Sequence, residues 1–229
     1  MRMTEKDLGE RDWATLLARA WDLGVRRLHS SREYESFEFL CAVLARLRDE
    51  RPDIAFDHVV KLADPSFDDS GFDPARMRAS VERYCEALGA ERIATVQWMW
   101  RKDLKDEPAR LAAFEQALPA IGDAGRGLAT EFACFPYTIG FAEAAIRSGV
   151  FGGLIVYYNI MEREFEAAMD EAAGSGMAVD VIRPFAGGQA GGKTGLPARR
   201  LLDDVLARPA VRDAILSVSS TAQLEELAA

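Results

Sequence analysis

The sequence has only two histidines, His29 and His58, and three cysteines, Cys41, Cys85 and Cys134. The cysteines are widely spaced, form no CxxC pair and have no histidine at metal-ligand spacing. That argues against a structural zinc site and reads as three buried, reduced thiols. Basic residues are also in short supply. Lys and Arg number 28 against 37 Asp and Glu, a net charge of −9. Affinity for nucleic acid rests on clustered Lys and Arg, so the balance argues against a phosphate-backbone partner. No apolar run approaches the length that spans a bilayer. Residues 1–12 lack the apolar stretch of a secretory signal. The expectation is a cytoplasmic protein with no membrane partner. What is present is a chain of 229 residues, 49% hydrophobic and 28% charged. That composition suits one globular domain, 1–229, with a sizeable core.

Helical and strand-like periodicities alternate along the whole chain. Helices are predicted over 12–23, 37–47, 74–88, 108–121, 139–148, 162–173 and 196–207, with a last one starting at 222. Strands are predicted over 25–28, 58–62, 93–99, 127–132, 153–158, 177–182 and 214–218. Pro74 suits the first turn of its helix, and Gly24, Gly89 and Gly122 follow helix ends. Short connections between alternating strands and helices imply parallel strands joined by crossover helices. Periodicity leaves a (β/α) barrel and an open doubly wound sheet equally open.

Two segments are more specific. Val156-Tyr157-Tyr158-Asn159-Ile160-Met161-Glu162-Arg163-Glu164 is followed by Ile182-Arg183-Pro184-Phe185-Ala186-Gly187-Gly188 and by Gly192-Lys193. Together they resemble the back half of an aldo/keto reductase. That family writes a strand ending in Tyr-Asn, a helix opening with Arg-Glu, then a strand running into Pro-Leu-x-x-Gly and a nearby Gly-Lys. The resemblance extends over residues 12–228 and implies an α/β, TIM-type barrel. It also implies that the barrel is incomplete, with about seven parallel strands, because the family's opening hairpin and first barrel strand have no counterpart.

The resemblance supplies an expected catalytic set. The family's tyrosine falls on Tyr34 and its lysine on Lys61, at the end of Val59-Val60-Lys61. Its aspartate position holds His29, and its histidine position holds Met99, flanked by Trp98 and Trp100. In the family the tyrosine gives a proton to a carbonyl as hydride arrives. A Tyr34, Lys61 and His29 cluster at the barrel mouth could do acid–base chemistry with no hydride at all. Each of these residues, taken alone, also has a plain reading as a packed or solvated side chain. The expected substrate pocket adds Trp98, Met99, Trp100, Tyr158 and Asn159, an apolar mouth for a small molecule.

The family's cofactor positions are eroded. The glutamine four before the Asn of Tyr-Asn is Ile155, and the aromatic two before Pro184 is Ile182. A trace of the adenine-phosphate segment remains in Ser219, Ser220 and Gln223. The resemblance so modified implies no cofactor, with NADPH as the alternative. Gly187 to Thr194 also fits the nucleotide-loop pattern GxxxxGK[ST], which requires a helix to start at about Lys193.

Three classes of function follow. One is a cofactor-independent enzyme that isomerises, dehydrates or cyclises a small carbonyl-type substrate. Another is a non-catalytic barrel serving as a binding or regulatory subunit. The last is an NADPH-dependent carbonyl reductase with an unusual site. A barrel lacking one strand leaves two edges, which proteins usually cover. A partner chain, a loop or residues 1–9 is expected over the gap, with a homodimer the simplest cover.

Overall fold

The computed structural model describes residues 8–62, 67–68, 71–99, 107–124 and 126–228. Seven strands form one sheet: β1 (Arg27–Ser30), β2 (Asp57–Leu62), β5 (Ile93–Met99), β6 (Ala129–Phe135), β7 (Gly153–Tyr157), β8 (Ala178–Ile182) and β9 (Val211–Ile215). They lie side by side in that order, and every pairing is parallel. A two-residue antiparallel ribbon, β3 (Phe67–Asp68) with β4 (Gly71–Phe72), sits between β2 and β5 in the chain and was not predicted. Helices α1 (Glu10–Asp22), α2 (Phe37–Glu50), α3 (Pro74–Leu88), α4 (Glu107–Ala124), α5 (Ile139–Ser148), α6 (Glu166–Gly174), α8 (Ala198–Leu206) and α9 (Thr221–Ala228) surround the sheet, and a one-turn α7 (Gln189–Thr194) precedes α8. The architecture is a TIM-type barrel, nearly closed and one strand short of eight. None of the helices among the described residues is long and apolar enough to cross a membrane.

Local chemistry explains the element ends. Asp73 caps α3, accepting from the N–H groups of Ala75 and Arg76 at 2.9 and 3.2 Å, and Pro74 fills the first turn where no donor is needed. Gly89 closes the same helix with φ of 62°, a left-handed conformation that glycine adopts without strain. Helix α6 starts four residues later than expected, because Asn159 Oδ1 accepts from the Met161 and Glu162 N–H groups and makes a turn there. Strand β9 starts three residues earlier than predicted. Its charged Arg212 and Asp213 hide the strand in the sequence, and both are spent on ion pairs at the barrel base.

The two faces of the sheet have different fillings. Outward side chains such as Val60, Val96, Trp98, Leu154 and Val181 join the main core against the helices. Inward ones form a smaller core of Val59, Ala133, Phe135 and Ile155, with Met99, Ile182 and Ile215 packed against it. Below this layer, at the N-terminal ends of the strands, the filling is ionic. Asp180, only 1% exposed, accepts from Arg27 at 3.0 Å and from Arg212 at 2.7 Å. Arg27 also reaches Thr95 at 2.7 Å, and Arg212 reaches Glu131 at 2.9 Å. Gly153 is required beside this cluster, since a Cβ there would sit 3.0 Å from the Ala178 carbonyl oxygen.

Among the described residues, two ion pairs cross the gap between β1 and β9. Arg27 of β1 pairs with Asp213 of β9, and outside them Arg19 of α1 meets Glu225 of α9 at 2.9 Å. Helices α1 and α9 also touch directly. Residues 1–7, expected as one possible cover, lie outside the described residues.

Candidate active site

The C-terminal ends of β1 and β2 bring Tyr34, Lys61 and Glu33 together. Lys61 Nζ lies 5.5 Å from the centre of the Tyr34 ring and 3.5 Å from Glu33 Oε2. The loop carrying Tyr34 is fixed by local bonds. The Tyr34 N–H donates to the Ser31 carbonyl at 3.0 Å, and the Glu33 N–H donates to Ser31 Oγ. Tyr84 of α3 ties this loop to β2: its hydroxyl donates to the Lys61 carbonyl at 2.8 Å and accepts from the Arg32 N–H at 2.7 Å. Burial pushes the Tyr84 phenol up, which suits it to a structural donor.

His29 lies deeper, inside the barrel, with Nε2 2.6 Å from Gln97 Oε1. An amide oxygen only accepts, so Nε2 carries the proton and Nδ1 is the ring's acceptor. Burial holds the His29 imidazole below its ordinary value. The Gln97 bond opposes this, and the Lys61 charge adds to it. Lys61 is thus electrostatically coupled to His29. His58, the other histidine, is also held low, first by burial and then by Arg48.

The far side of the mouth is aromatic. Phe135 meets Tyr137 at 5.1 Å and Tyr157 at 5.3 Å, both edge-on. The Tyr137 phenol is pushed up to about 12 by burial, then by Tyr157 and by Glu33. Arg183 lies 5.2 Å over the Tyr157 ring and 3.4 Å from Glu162. A pocket of about 390 Å³ opens beside Tyr157 and Met161.

The expected pocket residues are divided by strand parity. Met99 points into the barrel with Phe135 and Ile155. Trp98 points the other way and is fully buried, stacked on Phe114 at 5.3 Å in the helical layer, so it is a core residue and not a mouth wall. Tyr158 is likewise in the outer core, its hydroxyl 2.9 Å from Glu166 and 3.1 Å from Arg163. Asn159 is fully buried, and Nδ2 donates to the Arg183 carbonyl at 3.0 Å, so it shapes the turn below Arg183. Trp100 lies outside the described residues. Glu33, Gln97 and Arg183 were not anticipated. Gln97 had a readable signal, an amide side chain in the largely apolar run Ile93–Met99.

The residues at the family's cofactor positions are engaged within the chain. Ile155 is buried in the inner core, and Ile182 packs against it. Gln223 Oε1 takes the Ser219 N–H at 2.9 Å and the Ser219 hydroxyl at 3.0 Å, while Ser220 Oγ takes the Gln223 N–H. These three side chains close the start of α9 on themselves. The GxxxxGK[ST] stretch is not a phosphate loop. Helix α7 ends where that loop needs one to begin, with Lys193 in its last turn and Gly195 turning out at φ of 71°. Among the described residues no His, Cys, Asp and Glu cluster is placed to hold a metal ion.

A parallel barrel with titratable side chains at the C-terminal ends of its strands defines a class, the TIM-type barrels whose sites sit at that face. Comparison with solved structures narrows the class. A putative aldo-keto reductase from Pseudomonas aeruginosa superposes with a TM-score of 0.74 at 25% identity, over 96% of this chain and 82% of that one. An aldo-keto reductase from Bacillus halodurans in its holo form gives 0.68 at 14% identity, over 96% and 81%. One from Klebsiella pneumoniae, in complex with NADP and acetate, gives 0.70 at 16%, over 96% and 79%. No protein-family model and no curated protein sequence matches. The chain is a divergent member of the aldo/keto reductase superfamily.

The two low-lying histidines carry a stability prediction. Both protonate near pH 6.5 once unfolded, while the folded chain resists their charging. The unfolded state therefore binds more protons as pH falls through 6.5, and stability held above that pH is lost on acidification. Urea midpoints are expected to drop between pH 7.5 and pH 5. The drop should be smaller in a His29→Asn, His58→Asn double variant. An equal drop in both proteins would show that the histidines do not cause it.

Proposed function

We propose that this chain is an enzyme of aldo/keto reductase ancestry that moves protons on a small carbonyl-type substrate at the barrel mouth, without hydride transfer. Isomerisation, dehydration and cyclisation all have this requirement. The observation that carries the proposal is the pairing of Tyr34 with Lys61 beside a neutral histidine. Tyr34 gives its proton to the carbonyl oxygen. The Lys61 ammonium stabilises the charge that the phenol develops as it does so. His29, neutral and with Nδ1 unprotonated, takes a proton from the substrate carbon or passes one on, and Gln97 holds its tautomer. Phe135, Tyr137 and Tyr157 shape the apolar side of the site.

The NADP-bound Klebsiella pneumoniae structure favours a second reading, a reductase that uses NADPH. The apolar Ile155 and Ile182, and the self-satisfied Ser219, Ser220 and Gln223, weigh against it. Titration with NADPH, followed by tryptophan fluorescence, separates the two. The expected result is no saturable change up to millimolar cofactor. Micromolar binding favours the reductase.

A further inference from the structure

The opposite end of the barrel holds a cavity that the mouth chemistry does not use. It has a volume of about 310 Å³ and lies outside the sheet, under the ends of α2 and α3 at the N-terminal ends of β2, β5 and β6. Its apolar wall includes Leu47, Ile54 and Leu88, all buried. Three nitrogen-bearing side chains line the same space: His58, Arg48 and Arg92.

Their bonding is incomplete. His58 is only 9% exposed, and its Nδ1 is sealed from solvent with no hydrogen-bond partner. A buried polar atom left unpaired is costly, and its presence in a native fold calls for an explanation. Arg48 spends one donor on the Leu88 carbonyl at 2.9 Å, which fixes the guanidinium at the cavity. Among the described residues neither Arg48 nor Arg92 makes an ion pair, although the chain carries a net charge of −9. Asp57 is the acidic residue on the rim, and it too makes no ion pair among the described residues.

An apolar cleft of this size with a few convergent polar groups has the form of a small-molecule site. We infer that it binds a small organic carboxylate with an apolar body, the carboxylate on Arg48 and Arg92 and the body against Leu47, Ile54 and Leu88, next to His58. A guanidinium recognises a carboxylate through paired N–H donors, and Arg48 keeps four of its five free. The site is separate from the mouth. His58 and Lys61 lie on the same strand but project to opposite faces of the sheet, the first toward the helices and the second into the barrel. This inference stands whether or not the proposed mouth chemistry holds.

The test uses the full chain and two probes, 3-phenylpropionate and its neutral amide. Binding is followed by calorimetry and by the ring ¹⁵N signals of the two histidines, the His58 pair assigned from a His58→Asn variant. The acid is expected to bind saturably, to shift the His58 signals and not those of His29, and to bind at least about tenfold tighter than the amide. Arg48→Gln should weaken it by a similar factor. Ala94→Leu, which fills the cavity from β5, should abolish it. Equal affinity for acid and amide, or full affinity in Arg48→Gln, overturns the carboxylate assignment. Binding that survives in folded Ala94→Leu places the ligand elsewhere, and no binding by the wild type at millimolar acid ends the proposal. If Ala94→Leu does not fold, Arg48→Gln and the His58 signals decide.

Discussion

Replacing Asp180 with alanine is expected to destabilise the barrel by about 3 kcal/mol, the largest single-site loss we foresee. Its carboxylate is nearly solvent-free and accepts four hydrogen bonds, two from Arg27 and two from Arg212. Removing one partner of a buried ion pair leaves charge without compensation, at a cost of about 3–5 kcal/mol. The lower end applies because Arg27 is 20% and Arg212 35% exposed, and because Asp213 and Glu131 remain as neighbours. In a domain of this size that corresponds to a melting temperature lower by about 6–12 °C. Arg27 links β1 to β8 and β9, so the loss should also loosen the gap. Faster hydrogen exchange at Arg27–Ser30 and Val211–Ile215 than elsewhere in the sheet would report it. A shift below about 2 °C would show the cluster to be ornamental to stability.

Tyr34→Phe and Lys61→Met are expected to lower turnover by about 10²–10⁴-fold each, the range for loss of a positioned proton donor or of the charge that supports it. Neither should cost much stability. Tyr34 is half-buried on a loop, and Lys61 is 18% exposed, its ion pair with Glu33 a long one at 3.5 Å. The double variant should be little worse than the worse single one, because the two residues act as a unit. Activity retained in Tyr34→Phe with folding intact would place the proton donor elsewhere, and Tyr137, whose phenol burial holds protonated, would be the next residue to replace.

Much of the barrel could be read from the chain. The bounds of α3 and α5 were predicted to the residue, and in α3 the punctuating Pro74 and Gly89 do in the fold what their chemistry favours. Strand β9 was misplaced for the opposite reason. Arg212 and Asp213 look like loop residues until their partners, distant in sequence, are in place. The site was half legible. Tyr34 and Lys61 came from the family pattern, and their proximity is a property of β1 lying beside β2. Trp98 was assigned to the mouth because a strand's parity is not fixed by its own sequence. One residue of register decides whether Trp98 or Met99 faces inward, and the packing on Phe114 settles it. Gln97 needed His29 opposite it to gain meaning, and no local pattern supplies that pairing.

The most direct test of proton transfer at the mouth needs neither a cofactor nor an identified product. The protein is incubated in D₂O with a panel of small ketones, hydroxyketones and 2-oxo acids, and exchange at the carbon next to the carbonyl is followed by NMR. Deuterium is expected to enter at least one compound without any nicotinamide, and the exchange should be lost in Tyr34→Phe. No exchange across the panel, with carbonyl reduction appearing once NADPH is added, would contradict proton transfer without hydride.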